Sequence, residues 1–282
     1  MREIPVSELT KQIADLCISI NHDLSDDMKC ALTSAKQTEA SPIGQKVLGQ
    51  LEENLAIAKE KMIPICQDTG MAVVFLEVGQ DVHFVGGSME NAINEGVRRG
   101  YTDGYLRKSV VSDPIVRENT KDNTPAIIHY SIVPGDQVKI TLAPKGFGSE
   151  NMSQVFMLKP AQGIDGVKEA ILKAVTDAGP NACPPMVVGV GIGGTFEKCA
   201  LMAKQALTDP VGVSDTNKPT WVLDLEREML DKINSTGIGP AGLGGTTTAL
   251  AVNIRTYPTH IAGLPVAVNI CCHVNRHITV IL

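Results

Sequence analysis

The chain predicts an α/β fold of mixed α+β character, a helical N-terminal region followed by a mixed-sheet body. Three observations carry this. Apolar residues recur at helical spacing through the first sixty residues, short β-branched runs alternate with amphipathic helices from residue 71 onward, and no low-complexity linker interrupts the alternation. Residues 1–63 are therefore expected as the helical region and 64–282 as one continuous α/β unit.

Leu9, Ile13, Leu16 and Ile20 form a first helical stripe, and Met28, Leu32 and Ala35 a second after the polar break at 21–27. Ser41-Pro42 is an N-cap and N1 pair that opens a third helix. Its expected stripe is Val47, Leu51, Leu55, Ala58 and Met62, and Pro64 ends it. The apolar run 71–78 reads as a strand, and 88–104 as a helix with Ala92, Ile93 and Val97 inward. Two β-branched runs within 126–143 flank Pro134-Gly135-Asp136 and read as a hairpin. Asp165 to Gly179 is a helix with Val167, Ile171, Val175 and Ala178 on one face. The strand 186–192 feeds a glycine-rich turn and a helix over 195–207. A further helix covers 221–234, and strands are expected near 248–255 and 264–272.

With 43% apolar and 20% charged residues, the 282-residue chain has the composition of a soluble globular protein able to bury a sizeable core. A formal net charge of −6 argues against a general nucleic-acid binder, yet leaves room for a small anionic ligand held by a few local cations. The N-terminus has no signal-peptide layout and no apolar run approaches the roughly 20 residues of a spanning helix, so a cytoplasmic, membrane-free protein is expected. Seven scattered cysteines, an odd number, look unlike a disulfide framework and favour thiols or metal ligands.

Cys66 lies in a Pro-Ile-Cys-Gln-Asp-Thr-Gly loop, Cys183 lies before two prolines, and Cys271-Cys272 ends an apolar strand. Separations of 117 and then 88 or 89 residues resemble neither a zinc ribbon nor a ferredoxin run. They suit either isolated buried thiols or a cluster held by three distant loops with one iron lacking a protein ligand, and such an iron is a Lewis acid. Cys17, Cys30 and Cys199 fall in helical patterns and read as structural. Gly189, Gly191 and Gly194 match the G-x-G-x-x-G dinucleotide fingerprint. That unit opens at Cys-Pro-Pro, however, and no second strand ends in an acidic ribose ligand, although Asp209 is near the expected distance. An anion at the helix N-terminus is the other reading. Lys145–Asn151 has the composition of an anion-approaching loop or of a tight turn.

Five long stretches, 64–75, 106–129, 144–160, 181–207 and 242–277, together resemble the iron–sulfur class I fumarate hydratases, specifically the α subunit of the two-subunit form, with the L-tartrate dehydratase α subunit as neighbour. The resemblance implies a [4Fe–4S] cluster on loops, held by Cys66, Cys183 and Cys272; the third is Cys272 because the family's ligand falls seven residues after Leu264-Pro265. It implies that Asp68 protonates the departing hydroxyl, and that Gln67, Arg107, Gly148 and His260 contact the substrate carboxylates. The implied reaction is reversible hydration of fumarate to (S)-malate, with L-tartrate dehydration as the alternative. Single-chain members continue into a C-terminal domain that carries the catalytic base. A separate β subunit is therefore expected as partner of this chain, in a dimer of αβ units acting on a dicarboxylate. Two rival classes are a subunit that binds metal without catalysis and a nicotinamide-dependent dehydrogenase.

Overall fold

A computed structural model describes residues 1–282. The elements are, in chain order, β1 (Arg2–Pro5), α1 (Val6–His22), α2 (Asp26–Thr38), α3 (Pro42–Lys61), β2 (Met71–Gly79), β3 (Val82–Val85), α4 (Met89–Asp103), β4 (Ile127–Val133) and β5 (Val138–Lys145). They continue with α5 (Phe147–Glu150), β6 (Gln154–Leu158), α6 (Gly163–Ala178), β7 (Met186–Gly193), α7 (Phe196–Ala206), α8 (Thr220–Asn234), β8 (Ala249–Tyr257), β9 (Leu264–Cys271) and β10 (Ile278–Ile281). The mixed α+β class is as the sequence predicts. No helix is long and apolar enough to cross a membrane.

The chain packs as two compact units, each built from segments distant in sequence: Met1–Ser25, Leu55–Gly146 and Arg276–Leu282 in the first, Asp26–Asn54 and Phe147–Asn275 in the second. The helical segment 1–63 is not itself a unit, since α1 belongs to the first and α2 to the second. The third helix also departs from expectation. Leu48 and Ala58 are its buried apolar residues, Val47, Leu51 and Leu55 are half-buried, and Met62 lies beyond its end, exposed and at positive φ.

In the first unit a mixed sheet runs in the order β10-β5-β2-β4. Leu9, Ile13, Leu16 and Ile20 of α1, with Ile93 and Val97 of α4, bury against Val74, Leu76, Ile140 and Leu142 of the sheet. The two helices approach at glycines one turn apart. A Cβ on Gly96 would stand 2.7 Å from the Thr10 carbonyl oxygen, and one on Gly100 2.6 Å from the Cys17 Cβ.

The expected hairpin is not one. Its two runs do form strands, β4 and β5, but β2 inserts between them, parallel to β4 and antiparallel to β5. The short connection must therefore cross the end of β2, and Gly79 makes that possible: any other Cβ there would lie 2.4 Å from the Gly135 carbonyl oxygen. The N–H groups of Gly79, Gln80 and Asp81 donate to the carbonyls of Gln137, Val133 and Gly135, so the crossing leaves the backbone satisfied.

In the second unit the sheet order is β6-β9-β7-β8. Val188, Val190 and Ile192 of β7 face Val167, Ile171 and Val175 of α6 and Val222, Leu225 and Met229 of α8. The opposite face of β7 presents Gly189 and Gly191 to α7. Cβ atoms at those positions would stand 2.2 Å from the Ala203 oxygen and 2.1 Å from the Cys199 oxygen. Two glycines of the dinucleotide-like pattern thus serve helix-on-strand packing, which needs no ligand.

Candidate functional site

In the first unit, Pro64–Gly70 forms a turn between α3 and β2 that is fastened at Ile65, Asp68, Thr69 and Gly70. The Ile65 N–H donates to the Asn21 carbonyl (2.9 Å). The Asp68 Oδ1 accepts the Gly70 N–H (3.0 Å), closing an Asx-type turn. The Thr69 hydroxyl donates to the Arg107 carbonyl (3.0 Å), tying the Arg107 segment to the turn. Tyr101 donates its hydroxyl to the Thr69 and Gly70 carbonyls (2.7 and 3.0 Å), and burial pushes its pKa up, so it stays a donor. The Asn123 amide donates to the Gly70 carbonyl (3.1 Å). Gly70 has φ +77, and a Cβ there would be 2.8 Å from the Lys145 backbone, so no other residue fits. The result is a rigid loop presenting Cys66 and Asp68, half-buried, and Gln67, exposed. The Cys66 thiol donates to the Gln67 Oε1 at 3.1 Å.

The second unit gathers another group at one end of its sheet. Cys183 precedes β7 by three residues in a left-handed conformation (φ 52, ψ 62), ahead of a cis Pro184-Pro185 bond. Cys271 pairs opposite Val187 at the same end, and Cys272 follows it out of the strand. His273 donates its backbone N–H to the Cys183 carbonyl (3.5 Å), and its Nδ1 stands 3.0 Å from the same oxygen, so the two cysteine loops lie side by side. Gly148 belongs to this end too. It sits in α5, where a Cβ would approach the Asn181 oxygen at 3.9 Å. The Ser153 hydroxyl after α5 accepts from the Ile270 N–H and the Asn269 amide, and Asn269 also donates to Glu150.

His260 does not join them. Tyr257 ends β8 opposite Gly193, the last residue of β7, and His260 lies three residues further on. Thr259 donates to the Gly194 carbonyl at 2.9 Å, holding that loop at the far end of the sheet. The eight residues of β7, seven rises of about 3.3 Å, put roughly 23 Å of strand between the His260 end and the Cys183–Cys272 end. His260 instead lines a cavity of about 440 Å³ with Thr195, Lys198, Tyr257 and Thr259, in which the Lys198 ammonium sits 4.7 Å from the centroid of the Tyr257 ring.

The seven cysteines are all thiols and sort by environment. Cys17, Cys199 and Cys271 are buried, and burial raises the pKa of Cys17 and Cys199, which disfavours the thiolate a metal needs. Cys66 and Cys272 are half-buried and Cys183 is exposed, each in a loop. The donor set fits an iron–sulfur cluster in that respect. No group of three or more His, Cys, Asp or Glu side chains is arranged to hold a metal ion; Cys66 belongs to the first unit and Cys183 and Cys272 to the second. Sequence reasoning gave no role to Asn21, Tyr101, Asn123 or Arg276, which brace the Cys66 turn. Arg276 at least lies within the stretch of resemblance that ends at His277.

Residues 10–281 match the family described as fumarate hydratase (Fumerase). A Methanocaldococcus jannaschii protein, provisionally named L(+)-tartrate dehydratase subunit alpha, is 40% identical over 279 residues, which covers 94% of this chain and 95% of that protein. The L(+)-tartrate dehydratase subunit alpha of Escherichia coli O157:H7 is 29% identical over 281 residues, 98% of this chain and 91% of its own length. Its counterpart in Escherichia coli K12 is 28% identical over 280 residues, with the same coverage.

Proposed function

The chain belongs to the fumarate hydratase (Fumerase) family, and from that premise we propose that it is the α subunit of a hydro-lyase that moves water on or off a four-carbon dicarboxylate. L(+)-tartrate is the better-supported substrate, because the relatives that span more than nine-tenths of the chain carry that name; the fumarate preference drawn from sequence becomes the alternative. The observation that carries the reading is the braced Pro64–Gly70 turn, which sets a thiol, an amide and a carboxylate in consecutive positions beside the anchored Arg107 segment.

Cys66, Cys183 and Cys272 would hold a [4Fe–4S] cluster, which supplies when bound a Lewis-acid iron toward the substrate hydroxyl and carboxylate. Asp68 delivers the proton to the departing hydroxyl. The Gln67 amide and the Arg107 guanidinium bind substrate carboxylate, and the Gly148 N–H adds a backbone donor. The base that takes the C3 proton comes from a β subunit, in keeping with relatives named as subunit alpha. His260 lies too far from Cys183 and Cys272 to share their site within one chain, so its carboxylate contact comes from a second copy, in a dimer of αβ units.

The test is steady-state kinetics of the chain co-purified with its β subunit after anaerobic cluster reconstitution. L(+)-tartrate is expected to exceed fumarate and malate in kcat/KM by at least about tenfold, with the α chain alone inactive. The reverse ranking would restore fumarate, and no turnover of any of the three would end the hydro-lyase reading.

A further inference from the structure

We infer that Arg276 is a positioning residue for the turn that carries Cys66, Gln67 and Asp68; its catalytic consequence rests on the function proposed for that turn. Arg276 is only 2% exposed and heads the fully buried side chains by volume. Its Nη1 donates to the Asn21 Oδ1 (2.7 Å) and its Nη2 to the Asp68 carbonyl (2.9 Å), while its Nε is buried with no hydrogen-bond partner. Both of these acceptors are neutral oxygens. A guanidinium buried this way carries a desolvation penalty that a methionine of similar volume, filling the same space, would not. What methionine cannot do is grip two acceptors at once with a rigid fork.

The two acceptors are informative. Asn21 already holds the start of the turn, since its carbonyl accepts the Ile65 N–H (2.9 Å), and its own amide is fixed by donation to the Cys17 carbonyl (2.8 Å). Arg276 joins that same asparagine to the Asp68 carbonyl. Residues 65 and 68 are therefore held by one connected pair, and Cys66 and Gln67 lie between the two grips. On the other side, Gly146 leaves room for the arrangement: a Cβ there would stand 3.1 Å from the Asp68 Oδ2 and 3.8 Å from the Arg276 Nη2. Loss of the fork removes the hold on the Asp68 carbonyl, loosening that end of the turn while Ile65 stays bonded. The Asp68 carboxylate and Cys66 thiol then sample several orientations.

Arg276→Gln and Arg276→Lys, each in the complex with the β subunit, test this by amide hydrogen exchange over 64–70 together with kinetics. Arg276→Gln should speed exchange in that turn by about tenfold or more while α4 exchanges as before. Its kcat should fall about 100-fold with KM changed less than about threefold, the signature of misplaced chemistry rather than lost binding. A lysine reaches one acceptor at a time, so Arg276→Lys should fall between the two in both readouts. Unchanged exchange in Arg276→Gln overturns the inference whatever the kinetics, and so does faster exchange with wild-type kcat. If Arg276→Gln fails to fold, Arg276→Lys decides alone, and wild-type exchange and kcat in that variant overturn it. If the wild-type complex turns over no dicarboxylate but exchange still rises, the hydro-lyase reading fails and the hold of Arg276 on the turn stands.

Discussion

Glu39 is a carboxylate only 2% exposed that stabilises the second unit through backbone donors rather than a cation. It accepts the N–H groups of Ser41 (2.8 Å), Thr246 (2.8 and 3.0 Å) and Thr247 (2.7 Å). Burial by itself would raise its pKa, but these donors outweigh burial and hold it below the usual glutamate value. The sign follows: a depressed carboxyl contributes stability that is present above the unfolded pKa and is lost as pH falls through the folded one. Glu39→Gln should thus cost about 2 kcal/mol at pH 7, with the gap to wild type narrowing below about pH 4. Denaturant unfolding at several pH values checks this, and a gap that does not change with pH would refute it. The sequence around Glu39 offered no hint, because its partners lie some two hundred residues away. At Cys271 and Cys272, by contrast, strand alternation says that the two thiols differ in environment, while the preference for Cys272 came from the resemblance. Neighbours on an extended backbone face opposite ways, and the first is buried against β7 while the second leaves the strand half-exposed.

At the scale of elements, the approach of α1 and α4 makes an unusual prediction about glycine. In an exposed helix Gly→Ala gains up to about 1 kcal/mol, and Gly49 in α3 qualifies, since its Cβ would meet only the tip of Lys36 at 3.5 Å. Gly100→Ala should do the opposite and destabilise by about 2 kcal/mol, because its Cβ would meet the Ala14 carbonyl oxygen at 2.8 Å and the Cys17 Cβ at 2.6 Å. Thermal unfolding of the two variants should move in opposite directions, and a Gly100→Ala chain as stable as wild type would contradict the close packing. Elements of this kind were legible in the sequence: α1, α2, α4, α6 and α8 each carry a periodic stripe long enough to declare itself. The short strands β1, β3, β6 and β10 were not, since four or five residues acquire strand character only from a partner elsewhere in the chain. The false hairpin has the same origin. Two adjacent β-branched runs cannot reveal that β2 will insert between them.

At the scale of the whole molecule, motif resemblance supplied the list of proposed site residues, but only topology shows which of them share a unit and an end of a sheet. Cys66, Gln67, Asp68 and Arg107 fall in the first unit, and Gly148, Cys183 and Cys272 at one end of the second unit's sheet. His260 is stranded at the other end. Sequence order hides this, because His260 is closer in number to Cys272 than Cys183 is, and the antiparallel run of β9 carries the chain back across the sheet between them. If His260 serves a site in a second copy of the chain, two inactive variants should rescue each other. Asp68→Asn spoils the copy that carries it, whereas His260→Ala spoils the site of its partner. A mixed dimer therefore has one site with both lesions and one with neither. Random assembly of the two chains in equal amounts should leave about a quarter of sites intact, measured as turnover of the co-expressed complex against wild type. Each variant alone should be inactive. If His260 acted in its own chain, every site in the mixture would carry a lesion and no activity would return. Turnover in Asp68→Asn alone would instead remove Asp68 from the proton transfer.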